Sequence, residues 1–378
     1  MTLRVQRGML LPAPINGWAI RLCLSALACL VLGPHVMADH NSIDIQRASD
    51  VWRQREEVVV DAEVQWRALC SYSVSPARTN ASKIAVADVS FELPAVKCLL
   101  AGNRMRYETE QIDLTKRASN ATSDHGQYFS TFDGDRSMQM TSATAGNNPQ
   151  GIIHSESTFN DIDNINLRPL LYCFRPLSAI KNAISLSNCK VISLEADVGG
   201  QKCILLRDER QNGKERRSYW LAAERGYTVA RYLEEWSDTP FVQLDISYVP
   251  HDLVGWVPSE WTSVFFLSNR KVDSTSHVDV TSCRINSGIT RDAFHITFLA
   301  GTLVEDRRAN HKYIVRPNGD KRLVSAAEVL SRMSYNDLLN SETDGKQPSK
   351  FRAWHAVVVG MLVVGCALIA MRVVAKHK

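Results

Sequence analysis

The sequence is poor in the signatures of catalysis. It has no G-x-S-x-G elbow, no G-x-x-x-x-G-K-S/T loop, no G-x-G-x-x-G fingerprint and no H-E-x-x-H pair. The common patterns that expose a nucleophile, cradle a phosphate or hold a catalytic zinc are therefore missing. No C-x-x-C spacing occurs among the nine cysteines, which removes the usual signatures of paired-cysteine metal sites and of thioredoxin-like exchange. Basic charge is also scarce where it would count. The formal charge is +4, but Arg4, Arg7, Arg21, Arg372, Lys376 and Lys378 lie in two terminal segments that hold no acid, so the remainder carries −2. A nucleic acid partner requires a basic face, and none is expected. Internal repeats are absent, and the Ser/Asn-rich loops near 118–125 and 141–150 are the nearest approach to low complexity.

Apolar residues, by contrast, stand in long runs at both ends. Arg4, Arg7 and Arg21 lead into Leu22–Leu32, closed by Val36-Met37-Ala38, the pattern of a signal peptide over residues 1–38. Residues 354–371 contain an uncharged run from Ala356 to Met371, followed by the cations of a short tail, 372–378. This reads as a single membrane-spanning helix with its tail in the cytoplasm. The polar segment 341–353 is a linker, and residues 39–340 form the extracytoplasmic, periplasmic domain that the anchor holds at the cell membrane. Cys70, Cys98, Cys173, Cys189, Cys203 and Cys283 fall in that domain. An oxidising compartment makes them candidate disulfide cysteines, with buried free thiols as the alternative, and spacing selects no pairing.

The domain reads as mainly β. Mixed three- and four-residue spacing of Ile43, Ala48, Val51 and Trp52 predicts a short helix over 43–57. Val60, Ala62, Val64, Trp66, Ala68, Cys70 and Tyr72 then alternate with a mostly polar set, which predicts a long strand with Val64 and Trp66 inward and Glu63 and Arg67 outward. Further strands are expected at 97–110, at 128–132 and 136–140 around the Asp133-Gly134 turn, and at 190–195, 202–208, 216–222 and 227–236. Less regular segments at 242–249, 259–267, 278–285 and 294–297 extend the sheet, and helices are expected within 167–184 and 326–339. One apolar face cannot remain in water and too few helices exist to cover it. A large curved antiparallel sheet, a half barrel with a few lid helices, is the expected architecture.

Few polar groups are arranged for chemistry. His40, His125, His154, His251, His277, His295 and His311 are scattered singly. Asp133-Gly134-Asp135 and Asp161-Ile162-Asp163 lack the distal glutamate of a calcium loop, so neither a metal nor a cofactor is expected. The dense charges at 207–217 flank a turn and read as a solvated hairpin tip. The aromatics carry more. Trp66, Tyr72, Tyr107, Phe132, Trp220, Tyr227, Tyr232 and Trp236 lie on predicted strands, where an inward ring either fills a core or lines a cavity.

A family resemblance rests on Ala68-Leu69-Cys70-Ser71-Tyr72, Phe132-Asp133-Gly134-Asp135-Arg136, Tyr219-Trp220-Leu221-Ala222, Glu224-Arg225-Gly226-Tyr227, the segment Ala300–Arg307 and Tyr313-Ile314-Val315. In this order the chain resembles, over roughly residues 42–330, exported planctomycete proteins related to the outer-membrane lipoprotein carrier and sorting (LolA/LolB-like) superfamily. The resemblance implies an unclosed half barrel that holds acyl chains without covalent chemistry, and it implies no catalytic residues. The expected function is binding of an acyl chain, lipid or lipidated protein, with Val64, Trp66, Tyr72, Tyr107, Phe132, Trp220, Tyr227 and Tyr232 as lining candidates. The rivals are an envelope structural or signalling module with a filled core and another envelope protein as its partner, and an unrecognised hydrolase.

Overall fold

A computed structural model describes residues 44–72, 89–111, 126–142, 148–155, 164–178, 183–325, 327–328 and 335–340. The expected signal segment, linker and membrane-spanning stretch, and the acidic pair at 161–163, lie outside the described residues. No helix among the described residues is long and apolar enough to cross a membrane.

One open sheet of sixteen strands organises the described residues, and all its neighbours but one pair antiparallel. Its centre is β1 (Asp61–Tyr72), flanked by β2 (Val89–Ala101) and β13 (Val272–Ile285). From β2 the sheet continues through β3 (Arg104–Gln111), β4 (Gly126–Phe132), β5 (Ser137–Thr141) and β6 (Gln150–Ile153). From β13 it continues backwards through β12 (Gly255–Phe266), β11 (Thr239–His251), β10 (Thr228–Trp236), β9 (Glu215–Ala222), β8 (Gln201–Arg210) and β7 (Cys189–Val198). Beyond β6 lie β14 (Leu303–Asp306), β15 (His311–Val315) and β16 (Lys321–Val324). β14 runs parallel to β6, so the chain must cross a face to reach it. Segment 286–302 does so: Phe294 buries itself against Leu99 and Ala101, and Phe298 lies on Gly151.

Helices α1 (44–58), α2 (Arg168–Phe174) and α3 (Tyr335–Asn340) accompany the sheet, the last packing Leu338 on Ile314 and Val324. The main core lies on one face, where α1 supplies Ala48 and Trp52 and α2 supplies Leu170 through Phe174. This inner face is concave, for a geometric reason. Tyr172 of α2 meets Tyr219 of β9 edge-on at 6.1 Å, while Arg175, just past α2, donates to the carbonyls of Val59 at 2.8 Å and of Gly102 in the β2–β3 turn at 3.4 Å. Strands β9 and β2 stand six places apart, roughly 29 Å in a flat sheet. Residues three apart on a helix are only about 4.5 Å apart along its axis, so the sheet curls around α2. Bulges in β11, β12 and β13 add local bend and twist.

Several expected elements change. The single strand at 97–110 is two strands, because Gly102, at φ +57°, turns the chain between β2 and β3. Residues 294–297 are no strand: Arg291–Phe294 is a 3-10 turn that plugs the outer face with Phe294. The helical stretch expected near 167–184, broken by Pro169 and Pro176, is described as α2, which takes Pro169 into its first turn and ends before Pro176. Strands β6, β14 and β16, of four residues each, are too short for a period of two to declare itself.

The six cysteines of the domain are free thiols. Burial pushes Cys173 and Cys189 up to about 12 and Cys203 and Cys283 up to about 11, and raises Cys70 and Cys98 as well. At neutral pH they are protonated, apolar packing groups.

Candidate functional site

The site begins with a defect in the sheet. β2 pairs with β1 along its whole length, but with β3 only from Ala101–Arg104 to Lys97–Glu108. Beyond that point β3 stays with β4 as far as Gln111, and β2 stays with β1 as far as Val89. The cause is local. Between the Trp66–Val96 and Ala68–Leu93 pairs, Arg67 faces two residues, Pro94 and Ala95, which is a bulge; proline has no N–H to extend a ladder towards β3. The strands therefore part.

The parting leaves a cavity of about 310 Å3, with Trp66, Val96 and Tyr128 on its inner side and Gln65, Lys97, Glu108, Phe129 and Thr281 on its outer side. Residues of both faces line it, so it lies within the thickness of the sheet at the split. Trp66 is 1% exposed and packs near Trp261 at 5.6 Å and Tyr107 at 6.2 Å, and Tyr107 meets Tyr128 edge-on at 6.4 Å. The outer lip is polar. Lys97 pairs with Glu63 at 3.2 Å, and Glu63 also accepts from Gln65 at 2.9 Å and Arg284 at 2.5 Å. Burial pushes the Glu63 carboxyl up, but these hydrogen bonds and the lysine charge outweigh it and hold the group below the usual glutamate range. Across the lip Arg106 pairs with Glu108 at 2.5 Å and lies 5.5 Å over the Phe129 ring. An apolar inner wall under a charged lip suits a molecule with an apolar tail and a polar head.

The sequence-derived lining residues separate into three groups. Val64, Trp66, Tyr107 and Tyr232 are buried on the inner face, and Tyr72, Phe132 and Tyr227 are half-buried against the same core. Trp220 is not with them. Tyr219 and Leu221 hold the inward positions of β9, so Trp220 faces outward and packs with Cys203, Ala222 and Ala230. The expected register of β1 is the one observed, with Arg67 exposed, although Glu63 is buried by its ion pairs on the outer face. Of the acidic motif in the β4–β5 turn, Asp133 accepts from the backbone N–H groups of Asp135 and Arg136, and Asp135 pairs with Arg136 and Arg308. These carboxylates close a turn.

A second constellation was invisible in the sequence. Arg168 at the start of α2 donates to Glu234 at 3.0 Å and lies 5.0 Å over the Tyr232 ring, while the Tyr232 hydroxyl donates to Glu234 at 2.6 Å. Tyr172, Tyr219 and Tyr232 form a ring cluster with centroids 5.3–6.1 Å apart. The only sequence signal was that Tyr232 and Glu234 share a strand face; nothing linked Arg168 to them across 66 residues. These groups join α2 to the sheet and close that half of the hollow.

No family model matches the chain, and no curated protein matches it. Solved structures do. A DUF1329 family protein from Desulfovibrio piger is 12% identical with a TM-score of 0.33, over 66% of this chain and 97% of that one. A domain described as outer membrane lipoprotein-sorting, from Vibrio parahaemolyticus, is 10% identical with a TM-score of 0.36, over 65% and 95%. A LolA superfamily protein from Nitrosomonas europaea is 11% identical with a TM-score of 0.35, over 67% and 99%.

Proposed function

We propose that the chain is a membrane-anchored extracytoplasmic protein that binds an amphiphile, an acyl chain, lipid or lipidated protein, at the split between β2 and β3, without catalysing a reaction. The observation that carries this reading is the cavity of about 310 Å3 with Trp66 at its base. That volume lies at the lower end of small-molecule sites, which run from about 300 to 1,000 Å3. A tail burying a few hundred Å2 against Trp66, Val96 and Tyr128 gains several kcal/mol at about 25 cal/mol per Å2, before ordering costs. Lys97 and Gln65 stand at the lip where a polar head would remain. Attachment to the membrane through 354–371 and export through 1–38 belong to this proposal and rest on the sequence alone.

A second reading draws on the opposite half of the hollow. There Trp52, Leu170 and Phe174 are fully buried beneath the strands, which is the filled core of a module that binds an envelope protein by its surface.

The two readings part under photo-crosslinking. The full chain in membranes is irradiated with a diazirine-bearing fatty acid, and modified peptides are mapped by mass spectrometry. Amphiphile binding predicts competable labelling of peptides containing Pro94–Lys97 or Gln127–Phe129, lost in Ala95→Trp, which fills the split without touching the core. Labelling confined to 354–371 would sink the amphiphile reading and favour the module.

A further inference from the structure

At the end of the sheet opposite the β9–β10 turn held by α1, two of three adjoining hairpin tips leave apolar groups in solvent. Trp236 and Phe241 flank the β10–β11 turn, 49% and 53% exposed, and Val272 on the β12–β13 hairpin is 46% exposed. Phe241 meets Phe265 edge-on at 6.3 Å, and Phe266 pairs with Val272, so the apolar groups of the two tips adjoin. The tips are tied together. Arg270 donates to the Asp238 carbonyl at 3.0 Å, and the Ser237 N–H donates to the Lys214 carbonyl in the β8–β9 tip at 2.7 Å.

The carboxylates of this rim are shared two to an arginine, and three cations stand apart from them. Glu235 and Asp238 pair with Arg216, and Glu215 and Glu234 pair with Arg217. Asp273, the remaining acid near the tips, is also engaged. Lys214, Arg270 and Lys271 are exposed and have no carboxylate partner among the described residues. Protein interfaces are depleted in lysine, whereas tryptophan and other aromatics with neighbouring cations belong at the boundary of a bilayer. We propose that this rim docks on the surface of an anionic phospholipid bilayer, its aromatic rings entering the headgroup layer and Lys214, Arg270 and Lys271 facing lipid phosphates. The proposal stands on groups outside the β2–β3 split and needs no bound amphiphile.

The test uses the full chain in nanodiscs of phosphatidylcholine, alone or mixed with phosphatidylglycerol, with brominated acyl chains as quenchers of tryptophan fluorescence. The difference between the unaltered chain and Trp236→Phe isolates Trp236. Docking predicts that Trp236 is quenched in the anionic discs, less so as salt is added. Each cation near an anionic surface contributes about fivefold, so the variant Lys214→Gln/Arg270→Gln/Lys271→Gln should lower the ratio of docked to undocked forms about a hundredfold. Unquenched Trp236 in anionic discs, with unchanged near-UV circular dichroism, overturns the proposal. So does equal quenching in neutral and anionic discs. Photo-labelling at the split, run on the same samples, reports the amphiphile reading separately, so either idea can fail alone.

Discussion

The indole N–H of Trp52 donates to the carbonyl of Tyr227 at 2.9 Å, and it joins the middle of α1 to a β9–β10 turn in which Tyr227 holds a φ of +57°. Arg55, one turn on, donates to the carbonyl of Gly226 at 2.8 Å. The first helix is thereby fastened to a hairpin that lies 175 residues away. Trp52→Phe keeps most of the packing and loses the hydrogen bond, at an expected cost of about 1–2 kcal/mol. Trp52→Ala should cost about 3–5 kcal/mol. Urea denaturation of both variants checks this, and a Trp52→Phe variant as stable as the unaltered chain would show that packing alone holds the helix.

Asp61 closes the other end of β1. Its buried carboxylate accepts from the Ser287 N–H at 2.8 Å, the Ser287 hydroxyl at 3.2 Å, the Gly288 N–H at 3.1 Å and the Ile289 N–H at 3.2 Å. Asp61→Ala strands three backbone donors and should cost about 3 kcal/mol or more. Amide exchange at 287–289 should accelerate in that variant, and unchanged protection there would refute the role.

Glu234 gives the fold an acid-sensitive point. Burial pushes its carboxyl up, but the Tyr232 hydroxyl and the Arg168 guanidinium outweigh burial and hold it below the usual glutamate range. A lowered folded-state pKa stabilises the fold above the unfolded value of about 4.3, and that stability is lost as pH falls through the folded pKa. Denaturation midpoints should therefore decline on acidification below that range, and Glu234→Gln should flatten this part of the profile. An unchanged acid limb in the variant would assign the loss to other carboxylates.

Gly151 is required by its neighbour. A Cβ there would stand 2.4 Å from the Phe298 ring, so Gly151→Ala should destabilise by about 1–3 kcal/mol through overpacking. Phe298→Leu, which frees the space, should recover part of the loss in a double variant. Additive losses would show that the two positions are not coupled.

The sequence alone determined which strands exist where alternation is long and turns are marked. β1 announced its inward Val64 and Trp66, and the Asp133-Gly134, Gly199-Gly200 and Arg225-Gly226 turns marked their hairpins. A period of two sets the face of each residue relative to its own strand, and a tight turn sets the next neighbour. Neither specifies how distant segments meet. Gly102 divides one expected strand into two, and the bulge at Pro94 and Ala95 opens the sheet. Trp220 is carried to the outer face because Tyr219 and Leu221 take the inner one. The Arg168–Glu234 pair and the parallel joining of β14 to β6 depend on how far the sheet curls and where the chain crosses it. Those are properties of non-local packing, and only the tertiary structure decided them.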